Sequence, residues 1–302
     1  MKKKTAKILK SPEVIDALAD LTIKTMKDKE VEEHHKKFRD FTEKWEKKFL
    51  VKIRKYLDER ENQVLNKLNN IKRKYWIEQK DESVFFGWSF PNKEWNRMLQ
   101  EIGSDFFTTL YDVYGKEIFK ELEYAVGESL SASFDVTPKY LKEKIEELAL
   151  QFAENLNDNM IEKLRGVLSE GMMEGESMVD IASRIKDIYG SLSEYDAERI
   201  ARTEVIRISN SAADEAYKQS GVVDYKEWST AVDERVCPFC SLMNGRIIEV
   251  GKNFFKKGES VVAKDGEGEE IYLDLDYEAV KHPPLHPMCR CCLLPVVNEE
   301  YL

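Results

Sequence analysis

The chain has 302 residues, 42% of them apolar and 34% charged, and a net charge of −10. That length lies near the upper limit for a single hydrophobic core, so two or more structural units are expected. No run approaches the roughly eighteen consecutive apolar residues of a membrane-spanning helix, and the lysine-rich start lacks the apolar stretch of a secretory leader.

The charge is unevenly placed. Residues 1–74 hold 22 Lys/Arg against 13 Asp/Glu, a local balance of +9, which leaves −19 for the remainder. A basic arm on an acidic body can face nucleic acid or an acidic protein surface, and a solvated helix with mixed charges has the same composition. Residues 1–11 carry lysines without periodicity and read as a segment that orders only when bound.

The first long element is helical. Phe38, Phe41, Trp45, Phe49, Ile53, Tyr56, Val64, Leu68, Ile71 and Tyr75 recur at helical spacings and lay one apolar stripe along it. A stripe of that length needs a partner, either another helix of this chain or a neighbouring subunit. An aromatic loop follows at Ser83–Pro91, marked by Gly87 and Pro91. Helical periodicity resumes over 93–126 and breaks at 129–136. It restarts with Thr137 as N-cap and Pro138 in the first turn. The pattern predicts helices over 138–170, ended by Gly171, and 177–188, ended by Gly190. A capping box at Ser193–Asp196 should open a helix over 194–219 that Gly221 closes.

Beyond Gly221 the pattern changes to short β-like runs at 225–230, 246–250, 260–263, 271–275 and 293–297, separated by loops rich in Gly, Asp and Lys. The fold class that follows is α+β: a mainly helical N-terminal body with a small β-rich, zinc-knuckle-like C-terminal unit. In linear order the domains are a basic arm and long amphipathic helix (1–91), a helical body (92–221) and a β-rich Cys/His unit (222–302).

Every cysteine lies in one of two clusters, Cys237-Pro238-Phe239-Cys240 and His286-Pro287-Met288-Cys289-Arg290-Cys291-Cys292. Two local pairs of soft ligands brought together by folding suit a tetrahedral zinc ion, and cysteines so confined suit a reducing interior better than a disulfide framework. Cys237, Cys240 and Cys289 are the firmest ligands. The fourth is His286 or Cys291, since residues two apart on a strand face the same side. Cys292 then points away as a small apolar residue. Buried free thiols with a packing role, or a redox pair, are the competing readings. A catalytic zinc would need an open position and a nearby general base. Neither an HExxH helix nor the H-x-E of zinc deaminases is present.

The helix that follows Asp196 has an apolar face of Ala197, Ile200, Ala201, Val205, Ile208 and Ala212. Beside it stand Arg202, Thr203, Glu204 and Asn210, polar groups that need partners once buried. They are expected to clamp this helix to the β-rich unit near Asp233 and Arg235.

Taken together, these segments resemble the phage head-morphogenesis family, the phage Mu protein F-like minor head proteins. The resemblance rests on four stretches in order: Ile200–Glu204 with Asn210 and Ala213; Trp228–Arg235 leading into Cys237–Cys240; Asn244-Gly245; and Pro284–Cys291. Gly171–Ile185 is similar to the segment preceding them, so the likeness covers about 170–297. It implies a minor capsid protein of a tailed phage that joins portal, capsid and scaffold proteins at the portal vertex and assists DNA packaging or ejection. The implied location is the virion interior, and the host cytoplasm during assembly. No enzymatic activity is implied, and a C-terminal toxin domain, which some relatives carry, is not expected beyond Leu302. Packaged DNA would be the partner of the basic arm. The alternative is a zinc-containing nucleic-acid-binding or nucleic-acid-processing module. A hidden transferase or nuclease site built on Arg202, Glu204 and His286 is a third reading.

Overall fold

The computed structural model describes residues 23–24, 28–70, 91–230, 236–276 and 279–298. The chain is α+β. A two-residue strand β1 (Ile23–Lys24) precedes the long helices α1 (Asp28–Asn69), α2 (Asn92–Val126) and α3 (Lys139–Glu174). A shorter α4 (Met178–Ser191) runs through a π-helical turn (Leu192–Asp196) into α5 (Ala197–Ser220). Then come β2 (Val223–Ser229), the one-turn α6 (Pro238–Ser241), β3 (Arg246–Glu249), β4 (Glu259–Lys264), β5 (Glu270–Leu275) and β6 (Cys292–Asn298). Among the described residues no helix is long and apolar enough to cross a membrane.

The contacts divide the chain into two units. The first takes Met1–Trp45, Leu110–Val136 and Arg202–Leu302; the second takes Glu46–Thr109 and Thr137–Ala201. The β-rich C-terminal residues therefore group with the first half of α1 and the second half of α2, segments far away in sequence.

The second unit is a helical core. Phe49 of α1 stacks on Phe106 of α2 with ring centroids 4.3 Å apart and also meets Phe107 and Phe152. Tyr56, Trp95 and Asn157 are buried there with their polar atoms matched: the Tyr56 hydroxyl donates to Asn157 Oδ1 at 2.6 Å, and Trp95 Nε1 donates to Gln63 Oε1 at 3.1 Å. Arg60 is 1% exposed, its guanidinium lying over the Tyr56 ring at 5.0 Å and the Trp95 ring at 5.6 Å. Burying a cation is tolerable because the ring faces carry partial negative charge.

The first unit is built on an antiparallel sheet in the order β1-β6-β2-β3. β2 and β6 pair with Trp228 opposite Leu293 and Ser229 opposite Cys292. Lys226 and Trp228, two residues apart, are both buried, and the edge of Trp228 meets the Phe254 ring at 5.1 Å. Lys226 is neutralised by Asp214 of α5 at 2.6 Å, with both side chains at 0% exposure. Two tyrosine hydroxyls tie helices and sheet together, Tyr111 to the Ser211 carbonyl at 2.8 Å and Tyr217 to the Leu293 carbonyl at 3.1 Å. β4 and β5 form a separate two-stranded ribbon.

Three helix boundaries differ from expectation. α3 continues through Gly171 to Glu174, and the left-handed residue after it is Gly175, φ +69°. Gly190 lies within α4 rather than after it. The capping box forms at Ser177, whose hydroxyl accepts from Asp180 N while the Asp180 carboxylate accepts from Ser177 N. At Ser193 the backbone is already helical, so no cap is possible there. The five C-terminal strand runs fall within two residues of their expected bounds. Ile71, Tyr75, the basic segment 1–11 and most of the 83–91 loop lie outside the described residues.

Candidate metal centre

Proline directly after Cys237 starts the one-turn α6, and Cys237 is its N-cap, with the sulfur accepting from Cys240 N at 3.3 Å. That turn points both thiols the same way. The second cluster is a tight turn in which Cys289 N donates to the His286 carbonyl at 3.3 Å and Met288 takes φ +66°. A β-strand then begins at Cys292.

The two turns meet. His286 Nε2 lies 3.0 Å from the Cys237 sulfur and 3.1 Å from the Cys240 sulfur, and the Cys240 and Cys289 sulfurs are 3.7 Å apart. The donor atoms form two triads sharing Cys240, namely Cys237/Cys240/His286 and Cys240/Cys289/Cys291, each within 4.8 Å. All five cysteines are free thiols. Cys292 is 1% exposed and stands 3.6 Å from the His35 ring, apart from both triads.

The cluster is electrostatically primed. The Cys240 thiol holds the Cys237 sulfur down to about 4 against burial, and His286 adds to the effect. Cys289 is likewise held well below an ordinary thiol by Cys240 and Cys291. Cys240 is pushed up, chiefly by its hydrogen bond to Cys237. Burial opposes an imidazolium at His286, yet the Cys237 and Cys289 sulfurs raise it to about 9. Thiolates are the form that binds metal.

These residues fit a soft divalent ion. Two sulfurs at about 2.3 Å from a tetrahedral ion stand about 3.8 Å apart, matching the spacing of Cys240 and Cys289. With sulfur and imidazole donors and no oxygen ligand in either triad, the set suits zinc rather than calcium or magnesium.

α5 holds the second cluster in place. Thr203 Oγ1 accepts from Met288 N at 3.2 Å, and Arg202 Nη1 reaches the Met288 sulfur at 3.4 Å. Asn210, 1% exposed, donates to the Cys291 carbonyl at 3.1 Å and accepts from Leu293 N at 2.8 Å. Glu204 forms an ion pair with Arg207 one turn along the same helix. Asp233 and Arg235 lie outside the described residues. The Asp214–Lys226 pair lies outside the sequence expectations, and its one local signal is an aspartate amid Ala212, Ala213, Ala216 and Tyr217. Burial alone would raise the Asp214 carboxyl, but Lys226, with Lys218 and His282, holds it at about 2.

Fold and site together define an α+β protein with a thiol-rich knuckle secured by one helix against a sheet. Residues 162–294 match the family model described as phage Mu protein F like protein. An uncharacterised protein of Haemophilus influenzae is 26% identical over 188 residues, covering 61% of this chain and 36% of that protein, so the chain spans about a third of that relative's length. Uncharacterised protein YqbB of Bacillus subtilis is 24% identical over 280 residues, covering 91% of this chain and 81% of YqbB. No solved structure gives a significant match.

Proposed function

We propose that the chain is a minor head protein of a tailed bacteriophage, acting in head morphogenesis at the portal vertex, with a structural zinc ion securing its C-terminal sheet. The observation that carries this reading is the family match over 162–294, which takes in α5 and both cysteine clusters in one ordered block. Cys237, Cys240 and Cys289 are the proposed ligands, with the fourth from His286 or Cys291. Arg202, Thr203, Glu204 and Asn210 are the proposed clamp. Soft donors that fill a tetrahedral sphere leave no open position for substrate or water, so the centre serves architecture rather than catalysis.

The proposed partners are the portal protein and other capsid or scaffold proteins, within the virion. Packaged DNA is the proposed partner of the basic residues 1–74, a phosphate contact that weakens steeply with salt. The test is isolation of capsid precursors from infected cells. The chain should copurify with the portal protein, and a phage lacking the gene should yield defective heads. Normal, infectious particles without it would overturn the reading.

A further inference from the structure

Resting on the reading of DNA as a partner of residues 1–74, we infer that the contact is made by one outer face of α1, where lysines of residues 47–55 take the phosphate backbone of duplex DNA without regard to sequence. Charge is the first argument. Within 1–74 the balance is +4 for residues 1–27, −2 for 28–46, +5 for 47–55 and +2 for 56–74. The run Lys47-Lys48-Phe49-Leu50-Val51-Lys52-Ile53-Arg54-Lys55 holds five cations and no acid. A chain of net charge −10 repels DNA at long range, so binding needs cations concentrated in one place.

The helix gathers these cations on one side. Phe49, Ile53, Tyr56 and Leu57 are buried in the helical core, while Lys47, Lys48, Lys52 and Lys55 are exposed around Val51, itself 68% exposed. With 3.6 residues per turn, the four lysines fall within an arc of about 140°. Lys47 to Lys55 covers about 12 Å of helix axis, alongside which a DNA duplex carries about seven phosphates. Arg54 is turned aside, to the Ser193 carbonyl at 3.1 Å and Glu198 at 3.9 Å. Exposed Asp58 and Glu59 close the face at its C-terminal end.

The second argument is the missing counter-charge. Other exposed lysines of the long helices have an acid one turn away: Lys116 with Asp112 at 2.6 Å, Lys120 with Glu117 at 3.6 Å, Lys139 with Glu143 at 3.5 Å. Lys47, Lys52 and Lys55 have no ion pair among the described residues. Lys48 and Lys52, four apart, and Lys52 and Lys55, three apart, set like charges on neighbouring turns, where they repel unless an anion lies over them. Composition then selects DNA over an acidic protein. Protein interfaces favour Arg and aromatic side chains and are depleted in Lys, whereas a lysine is a point charge suited to phosphate. This face carries four lysines, one exposed valine and no aromatic side chain. It also carries no Asn or Gln to read base edges, so the contact is to the backbone alone.

Fluorescence anisotropy of the full chain with a short labelled duplex of arbitrary sequence, titrated between about 50 and 200 mM salt, tests the site. Four phosphate contacts give a slope of about −3.6 in log affinity against log salt. Combining Lys47→Gln, Lys52→Gln and Lys55→Gln should flatten the slope to about −0.9 and weaken binding at low salt about tenfold or more. The thermal midpoint should hold, and arginine at the same three positions should restore binding. Combining Lys116→Gln, Lys120→Gln and Lys139→Gln removes the same charge elsewhere and should leave slope and affinity unchanged. Equal losses in the two triple variants would reduce the effect to net charge and overturn the site. Binding undiminished in the first triple variant would overturn the site and leave DNA to other residues of 1–74. Polyglutamate bound as tightly as the duplex would reassign the face to an acidic protein. A wild-type chain that binds no DNA would overturn both the site and the DNA partner, while copurification with the portal protein would still decide the head-protein reading.

Discussion

Asn210 shares one amide between its own helix and the strand behind the second cysteine cluster. Its Nδ2 donates to the carbonyls of Ile206 and Cys291, and its Oδ1 accepts from Leu293 N. Asn210→Ala should therefore cost about 3 kcal/mol, because two buried backbone groups lose their partners. Asn210→Asp should cost at least as much, because a buried carboxylate oxygen would face the Ile206 and Cys291 carbonyls. Urea midpoints measure both, and a loss below about 0.5 kcal/mol for the alanine variant would show the clamp to be idle. His35 makes a pH prediction. Its ring is 2.8 Å from Ser229 Oγ, and burial, aided by His34 and Arg39, pushes its pKa down to about 4. The unfolded chain takes up the proton near pH 6.5 while the folded one resists it, so stability should fall as pH drops from 6.5 to 4 and level off below. His35→Gln should flatten that part of a stability-versus-pH curve, and an unaltered slope would count against it.

At the scale of elements, two glycines of similar appearance play opposite parts. A Cβ on Gly171 would stand 2.7 Å from Ile181 Cγ1 and 2.9 Å from Glu176 Oε2, so this glycine lets α3 approach α4 and does not end a helix. Gly171→Ala should lower stability by about 1–3 kcal/mol through overpacking. Around Gly190 a Cβ would meet nothing within 4 Å, and the residue lies within a helix. Gly190→Ala should raise stability by about 0.5–1 kcal/mol, since the unfolded chain loses freedom at no steric cost. Thermal midpoints moving in opposite directions would bear this out, and a shift of the same sign would refute it. The same pair shows that glycine is an ambiguous sign of a helix end. Glycine marks either a terminus or a close approach, and only the neighbour in space decides which. The π-helical turn at 192–196 likewise leaves no mark in residue type, because Ser193 to Asp196 would read as a cap in isolation.

For the whole molecule, the metal reading has a cooperative consequence. Structural zinc contributes on the order of 10 kcal/mol to a small unit. Chelation should therefore unfold the residues grouped with the sheet at lower denaturant than those of the helical core, separating one transition into two. Near-ultraviolet signals from Trp228 should be lost first, while most helical far-ultraviolet signal persists. A single transition at an unchanged midpoint would show that the thiols contribute packing alone. The grouping by contact makes this a strong test, since residues 28–45 and 110–126 belong with the sheet although they are helical.

The amino-acid sequence by itself determined the α+β class, the long apolar stripe of α1, the five C-terminal strands and the two cysteine clusters. Each is a local pattern, written in period, turn residues or spacing, and local patterns survive without neighbours. It also singled out Arg202, Thr203 and Asn210, because polar residues beside an apolar helix face must find partners wherever the chain leads. Tertiary structure decided which partners they found, Met288 for Arg202 and Thr203, Cys291 and Leu293 for Asn210. It decided that Lys226 would be buried against Asp214. Those outcomes depend on distances between residues dozens of positions apart, and sequence spacing alone does not fix distances of that kind.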